Sequence, residues 1–397
     1  MKVAFLTSGG IAPCLSSSIG RLMYNYSRIN KNVEFIGYLN GYKGLLTDKK
    51  IILPNNLGDQ ISVLYNFGGT FLGNSRVKLT NKEDCVKKGY IKEDEDPLSV
   101  AALQLLNDNI DILHTIGGDD TNTTASDLVD YLKSKNHNLT VVGLPKTIDN
   151  DVYPISQTLG AYTAAEQSAV FFKNIVNENT TSSRQLIIHE VMGRNCGWLT
   201  AYSAFLYRKN FLSQMDFLKD LNLEKKQWDI NAIYIPEDSF DLETESIRLN
   251  KIMNDYDCVN IFLSEGAGID NIVKEKEKNN QIIKRDAFGH IRLDELNPGK
   301  WYASYFKKHL KADKVLVQKS GYFSRSAAPN SKDLELIFSH ADFAVKQAML
   351  GNSGVVGIDE KEDDISCIDF SRIKGHKPFN ISLDWYIDLK KQIGQRK

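Results

Sequence analysis

Short apolar, β-branched runs recur along the chain, each followed by a turn and then a stretch of helical period. Val3–Thr7, Val33–Tyr38, Asp111–Ile116, Thr140–Leu144, Leu186–Val191, Asn231–Ile235, Val259–Ser264, Val315–Gln318 and Val355–Ile358 form the series. They are apolar throughout rather than alternating, which is how strands covered on both faces read. Between them lie helical patterns, clearest at Leu334, Ile337, Ala341, Ala344, Val345 and Ala348, spaced by three and four. Strand alternating with helix predicts an α/β protein with mostly parallel sheets. Two such sheets suit 397 residues, since a domain takes about 150. No repeat of solenoid period and no Pro- or Ser-rich linker marks a boundary.

With 42% hydrophobic and 25% charged residues, the chain is neither disordered nor fibrous. Lys+Arg 49 against Asp+Glu 50 leaves a net charge of −1, so no global basic field is available for nucleic acid or an anionic membrane. Any anion must be gripped by a local site. No apolar run approaches the roughly 18–20 residues of a membrane span, and Val3–Leu6 is too short for a signal-peptide core. Five scattered cysteines without a CxxC pair suggest neither disulfides nor zinc, and a cytoplasmic location is expected. The charge-dense segments Lys78–Pro97 and Lys274–Asn280 read as solvated loops or helix faces.

In open α/β sheets ligands bind beyond the carboxyl ends of the strands, so the residues just after each run matter most. After the first comes Thr7-Ser8-Gly9-Gly10 and a serine cluster, Ser16–Ser18, where a helix can start. The glycines suit either a phosphate approached by backbone N–H groups or a plain tight turn. After the third comes Gly117-Gly118-Asp119-Asp120-Thr121. Two adjacent acids before a Thr-capped helix repel each other, and a hard cation such as Mg²⁺ would relieve this. The alternative is a solvated capping turn.

After the fourth run, Pro145-Lys146-Thr147-Ile148-Asp149-Asn150-Asp151 gathers a lysine, a hydroxyl and two carboxylates in one turn. A carboxylate there can take the proton of an alcohol nucleophile while lysine and metal offset charge on a transferring phosphoryl group. Gly68–Arg76, Met192-Gly193-Arg194 and Gly321–Arg325 place arginines beside glycines, and Ser264-Glu265-Gly266 follows another run. Jointly the guanidinium forks suit a phosphate ester.

These motifs, in this order, resemble the phosphofructokinase family, from Thr7–Gly10 to about Gly375, with Gly41–Leu45 and Gly73–Arg76 among them. The resemblance implies two Rossmann-like three-layer α/β/α domains with the active site in the cleft between them. Residues 1–160 plus 323–375 would bind the donor and metal; residues 161–322 plus 376–397 would bind fructose 6-phosphate. It places Gly10, Tyr42, Arg76, Gly118, Asp119 and Asp120 on the donor side, with Asp119 a ligand of Mg²⁺. Thr147, Asp149 and Asp151 form the catalytic turn, Asp149 being the base for the sugar 1-hydroxyl. Met192, Gly193, Arg194, Glu265, Tyr322 and Arg325 make the fructose 6-phosphate pocket. Arg184 is the candidate for an arginine lent to a neighbouring subunit of a homodimer or homotetramer, and Lys319 for a further phosphate ligand.

ATP-dependent members carry GGDG and usually PGTIDND, whereas this chain has Asp120 and Lys146. Both substitutions resemble the pyrophosphate-dependent branch. A carboxylate in place of glycine fills the room of a nucleotide's α-phosphate and repels its charge, and a lysine offers a cation to pyrophosphate. Ile11 and Cys14 also depart from the family's Asp and Gly; Cys14 reads as a small buried hydrophobe. The expected activity is reversible, effector-independent transfer from Mg-pyrophosphate to fructose 6-phosphate. The rivals are an ATP-dependent 6-phosphofructokinase and a non-catalytic regulatory subunit, against which the intact TIDND turn speaks.

Overall fold

The computed structural model describes residues 1–278, 280, 283 and 296–395. In chain order the strands are β1 (Lys2–Thr7), β2 (Glu34–Tyr38), β3 (Lys50–Leu53), β4 (Ile112–Gly117), β5 (Thr140–Pro145), β6 (Gln185–Val191), β7 (Ala232–Tyr234), β8 (Cys258–Ser264), β9 (Lys314–Lys319), β10 (Gly354–Asp359) and β11 (Asp364–Ile368). Helices that matter below are α1 (Leu15–Ile29), α2 (Lys82–Lys87), α3 (Asp119–Ser134), α4 (Ala161–Ile175), α5 (Ile269–Lys278), α6 (Pro298–Leu310) and α7 (Ser331–Met349). The chain forms two compact units, Met1–Ala164 with Arg325–Lys377, and Ala165–Ser324 with Pro378–Lys397.

The first unit is built on a seven-stranded sheet in the order β11-β10-β5-β4-β1-β2-β3. β1 runs parallel to β2 and β4, β4 to β5, and β5 to β10. Every residue of β4 is buried, as is β1 from Val3 onward, which is why these runs are unbroken apolar sequence. On one side, Ala4, Leu6, Leu113, Val141 and Val355 pack against Ala125, Leu128, Val129 and Leu132 of α3. The consequence for function is geometric. β5, β4 and β1 are parallel neighbours, so the three turns at their carboxyl ends emerge side by side.

The second unit carries a four-stranded, wholly parallel sheet in the order β7-β8-β6-β9. Leu186, Ile188, Val259, Ile261 and Leu263 bury one face against Tyr302, Phe306 and Leu310 of α6. On the other, His189 sits among Phe171, Phe172 and Phe262.

All nine expected strands are present in the α/β arrangement. Two further strands, β3 and β11, are antiparallel edge strands. Cys14, Cys85, Cys196 and Cys258 are buried free thiols and Cys367 is half-buried and free. Cys14 donates to the Leu159 carbonyl at 3.3 Å, and burial raises its pKa, as suits a packing residue. The Lys78–Pro97 stretch includes the short helix α2, capped by Asn81, which accepts from Asp84 N. Of Lys274–Asn280, position 279 lies outside the described residues and Lys274–Lys278 end α5. Among the described residues no helix is long and apolar enough to cross a membrane.

Candidate active site

The turn after β1 is bound from two sides. Ser8 N donates to Ile116 O at 3.1 Å, and Gly9 N and Ser8 Oγ both donate to Ser75 O at 2.9 Å. Gly9 takes φ +84°, which favours glycine. The bond to Ser75 brings the Gly68–Arg76 loop onto the opening turn, and Arg76 with it.

The lysine of the next turn but one reaches the same place. Lys146 is 4% exposed and donates from Nζ to Gly10 O at 2.8 Å. Its backbone N donates to Gly117 O at 2.8 Å, which locks the turn after β5 to the turn after β4. Burial lowers the Lys146 pKa to about 8; the charge of Asp149 opposes this, and those of Arg325 and Arg76 add to it. Arg325 donates from Nε to Ile11 O at 2.9 Å, and its guanidinium lies so close over Gly10 that a Cβ there would meet it at 1.7 Å. Three cations therefore converge on one glycine turn. Such a site suits a small polyanion.

The carboxylates sit beside this cationic corner. In the turn after β5, Thr147 Oγ1 donates to Asp151 Oδ1 at 3.1 Å and accepts from Asp149 N at 3.2 Å. Asn150 holds the turn in the left-handed region, φ +57°. Its buried amide accepts from Thr158 N at 2.8 Å and donates to Ser156 O at 3.2 Å, while Thr158 Oγ1 donates to Thr147 O at 2.8 Å. The turn is thereby braced by the returning chain. Burial and then the charge of Asp119 raise the Asp151 pKa. Asp119 is backed by Gly375, where a Cβ would lie 1.8 Å from Asp119 Oδ2.

The two acids do not precede their helix, as the sequence suggests. Gly118 is the N-cap, and Asp119 and Asp120 occupy the first turn of α3. They then diverge: Asp119 turns toward Asp151, whereas Asp120 pairs with Lys78 at 2.7 Å.

In the second unit, Val191 and Ser264 are in register on β6 and β8, so the segments that follow them are adjacent. Ser264 Oγ donates to Gly193 O at 2.5 Å and Glu265 N donates to Val191 O at 3.0 Å. Gly193 takes φ +129°, and a Cβ at Gly266 would meet the Arg194 carbonyl at 1.7 Å. Burial raises the Glu265 pKa. Met192, Gly193, Arg194 and Glu265 thus lie together, and Tyr322 is 70% exposed.

Four expected residues are placed differently from the sequence reading. Arg184 donates to Lys311 O at 2.8 Å, to Leu310 O and to Asn254 Oδ1 at 3.0 Å, so its guanidinium caps the end of α6. Tyr42 is fully buried and donates to Thr121 O at 2.8 Å, so it supports α3 from beneath rather than facing a ligand. Lys319 pairs with the buried Glu190 at 2.7 Å. Arg325 falls in the first unit against Gly10, beside the expected donor residues. Lys78, Asn150 and Gly375 are additions. Only Asn150 left a sequence signal, as an Asn between two acids in a turn.

An α/β protein whose adjacent strand ends gather lysine, arginines and carboxylates around a glycine turn belongs, by fold and site, among proteins that handle phosphoryl groups. Residues 2–347 match the phosphofructokinase family model. The chain belongs to the phosphofructokinase family. It is 53% identical over 397 residues to the pyrophosphate–fructose 6-phosphate 1-phosphotransferase of Methylomonas methanica, covering 100% of this chain and 97% of that one. It is 50% identical over 396 residues to the protein of the same name from Mastigamoeba balamuthi, covering 100% and 96%. In fold it is similar to a crystal structure of a pyrophosphate-dependent phosphofructokinase from Marinobacter aquaeolei, with TM-score 0.72 and 20% identity over 99% of this chain and 90% of that one.

Proposed function

We propose that the protein is a phosphotransferase that moves a phosphoryl group from pyrophosphate to the 1-hydroxyl of fructose 6-phosphate, giving fructose 1,6-bisphosphate and orthophosphate. The observation that carries this is the pair of donor-side residues, Asp120 at the start of α3 and the buried Lys146 on the Gly10 carbonyl. Asp120 occupies room that a nucleotide would need, and Lys146 offers its charge to a compact diphosphate. An ATP-dependent kinase would need neither.

Asp149 accepts the 1-hydroxyl proton as that oxygen bonds to the terminal phosphorus, and the bridging oxygen leaves with orthophosphate. Lys146, Arg76 and Arg325 offset the growing charge, and the Gly10 and Gly118 amides assist. Thr147 orients Asp151 through its hydroxyl. The hexose phosphate falls to Met192, Gly193, Arg194, Glu265 and Tyr322. Donor binding is assigned to the unit of Met1–Ala164 and Arg325–Lys377 and sugar binding to the other. Because the two phosphates are of comparable transfer energy, the reaction runs both ways.

Mg²⁺ fits the residues present. Mg²⁺ takes one or two protein carboxylates and completes its shell with substrate phosphate oxygens and water. Asp119 and Asp151 would supply that pair; burial, and then the charge of Asp119, raises the Asp151 pKa. Bound there, Mg²⁺ supplies charge neutralisation for the diphosphate. A cytoplasmic homodimer or homotetramer, without effector control, completes the reading. The test is turnover of purified protein with fructose 6-phosphate and Mg²⁺, pyrophosphate against ATP: faster turnover with pyrophosphate is expected, and faster turnover with ATP contradicts it.

A further inference from the structure

The charge-dense stretch that opens at Lys78 plays no part in the reading above, yet its first residue reaches the donor side. Val77 and Leu79, on either side of it, are 4% and 1% exposed and belong to the core of the first unit, so the side chain between them must point outward. Its carbonyl accepts from Asn81 N at 3.2 Å and from Cys85 Sγ at 3.7 Å, ahead of and within the capped helix α2. The backbone at position 78 is therefore pinned, and the reach of its ammonium is limited to the rotamers of one side chain.

That ammonium lies 2.7 Å from Asp120 Oδ1. Asp120 is anchored independently: it sits in the first turn of α3, where its carbonyl accepts from Thr124 Oγ1 at 2.8 Å. Both side chains are about half-exposed or more, so the pair adds little to stability. It does restrict direction. An unpaired aspartate in a first turn is free to rotate toward the helix amides or into solvent. Lys78 biases that choice toward one direction. It also cancels much of the carboxylate's charge, so exclusion of a nucleotide at this point rests on the space the pair fills more than on repulsion.

We propose that Lys78 is a positioning residue for donor choice, fixing the Asp120 carboxylate so that the pair occupies the space beyond a bound pyrophosphate. The proposal rests on the assignment of Asp120 as the donor discriminator. Its test is the inhibition constant of ATP as a competitor of pyrophosphate in the forward reaction, which is readable whether or not ATP is turned over. Lys78→Met should lower that constant about threefold, with about fivefold the ceiling for an exposed ion pair. Lys78→Arg should restore the native value, because it keeps the pair. Asp120→Asn, which keeps the volume and can still accept from Lys78, should stay within about twofold of native, whereas Asp120→Gly should tighten ATP about tenfold or more.

Circular dichroism melting of each variant separates loss of fold from loss of position, and Lys78→Gln gives a second truncation at this exposed site. A normal inhibition constant in folded Lys78→Met and Lys78→Gln, alongside a strong shift in Asp120→Gly, overturns the role of Lys78 and leaves the donor assignment standing. No shift in Asp120→Gly overturns both.

Discussion

The Lys146 ammonium donates to the Gly10 carbonyl at 2.8 Å, a cation held against the backbone of the turn that follows β1. The contact places a buried charge, already short of solvation, where a diphosphate would complete its coordination. With its pKa lowered to about 8 by burial, Lys146 is protonated below that pH and neutral above it. The cation is thus lost as pH rises through about 8. We expect kcat/KM for pyrophosphate to fall on the alkaline side with an apparent pKa near this value. In Lys146→Arg the alkaline limb should move beyond the measurable range, and Lys146→Met should lose about 10²- to 10³-fold in turnover. The pH–rate profile of the three proteins checks this.

Asp149 is expected to take the sugar proton, and its position depends on Thr147, whose hydroxyl accepts from the Asp149 amide. Asp149→Ala should reduce kcat by about 10²- to 10⁴-fold, the usual range for a general base, with KM for fructose 6-phosphate changed far less. Steady-state kinetics in both substrates provides the measurement.

Gly375 touches Asp119 without belonging to any motif. A methyl group at 375 would lie 1.8 Å from Asp119 Oδ2, so Gly375→Ala must turn the carboxylate aside. The Mg²⁺ concentration for half-maximal activity should rise about 10- to 100-fold, the range for disturbing the outer support of a metal ligand. Titration of activity with Mg²⁺ at saturating pyrophosphate reads it, and the melting temperature should hardly move.

Burial lowers the pKa of His114 to about 4 and of His189 to about 3, below the ordinary 6.5. The unfolded chain then binds protons that the folded chain refuses, so stability is full above about pH 6.5 and declines as pH falls toward 4 and below. His189 lies among three phenylalanines and neither ring nitrogen has a hydrogen-bond partner among the described residues, so it gains nothing from being polar. His189→Phe should flatten the acid side of the urea-midpoint curve between pH 6.5 and 4 while leaving the neutral midpoint close to native.

The strands were legible because burial on both faces demands unbroken apolar runs, and the polar turn after β5 stood out because its lysine, hydroxyl and carboxylates follow such a run directly. β3 and β11 escaped notice: KIIL and DISCI are short, and one or both faces of each are open to solvent, so neither reads as a buried run. Arg184 and Tyr42 sit beside the right motifs, but residue type does not reveal where a side chain points. One caps a helix and the other is buried beneath one. The nearness of Arg325 to Gly10, of Gly375 to Asp119 and of Lys78 to Asp120 exists only after the sheet has formed. No spacing in the sequence encodes it.

With inorganic diphosphate as the phosphoryl partner in both directions, the enzyme should make pyrophosphate without any nucleotide. Phosphorus-31 NMR of the purified protein with fructose 1,6-bisphosphate, orthophosphate and Mg²⁺ alone follows this, and a growing pyrophosphate resonance is expected as the 1-phosphate signal declines. A spectrum that stays unchanged until ADP is added, and then develops ATP, would contradict it.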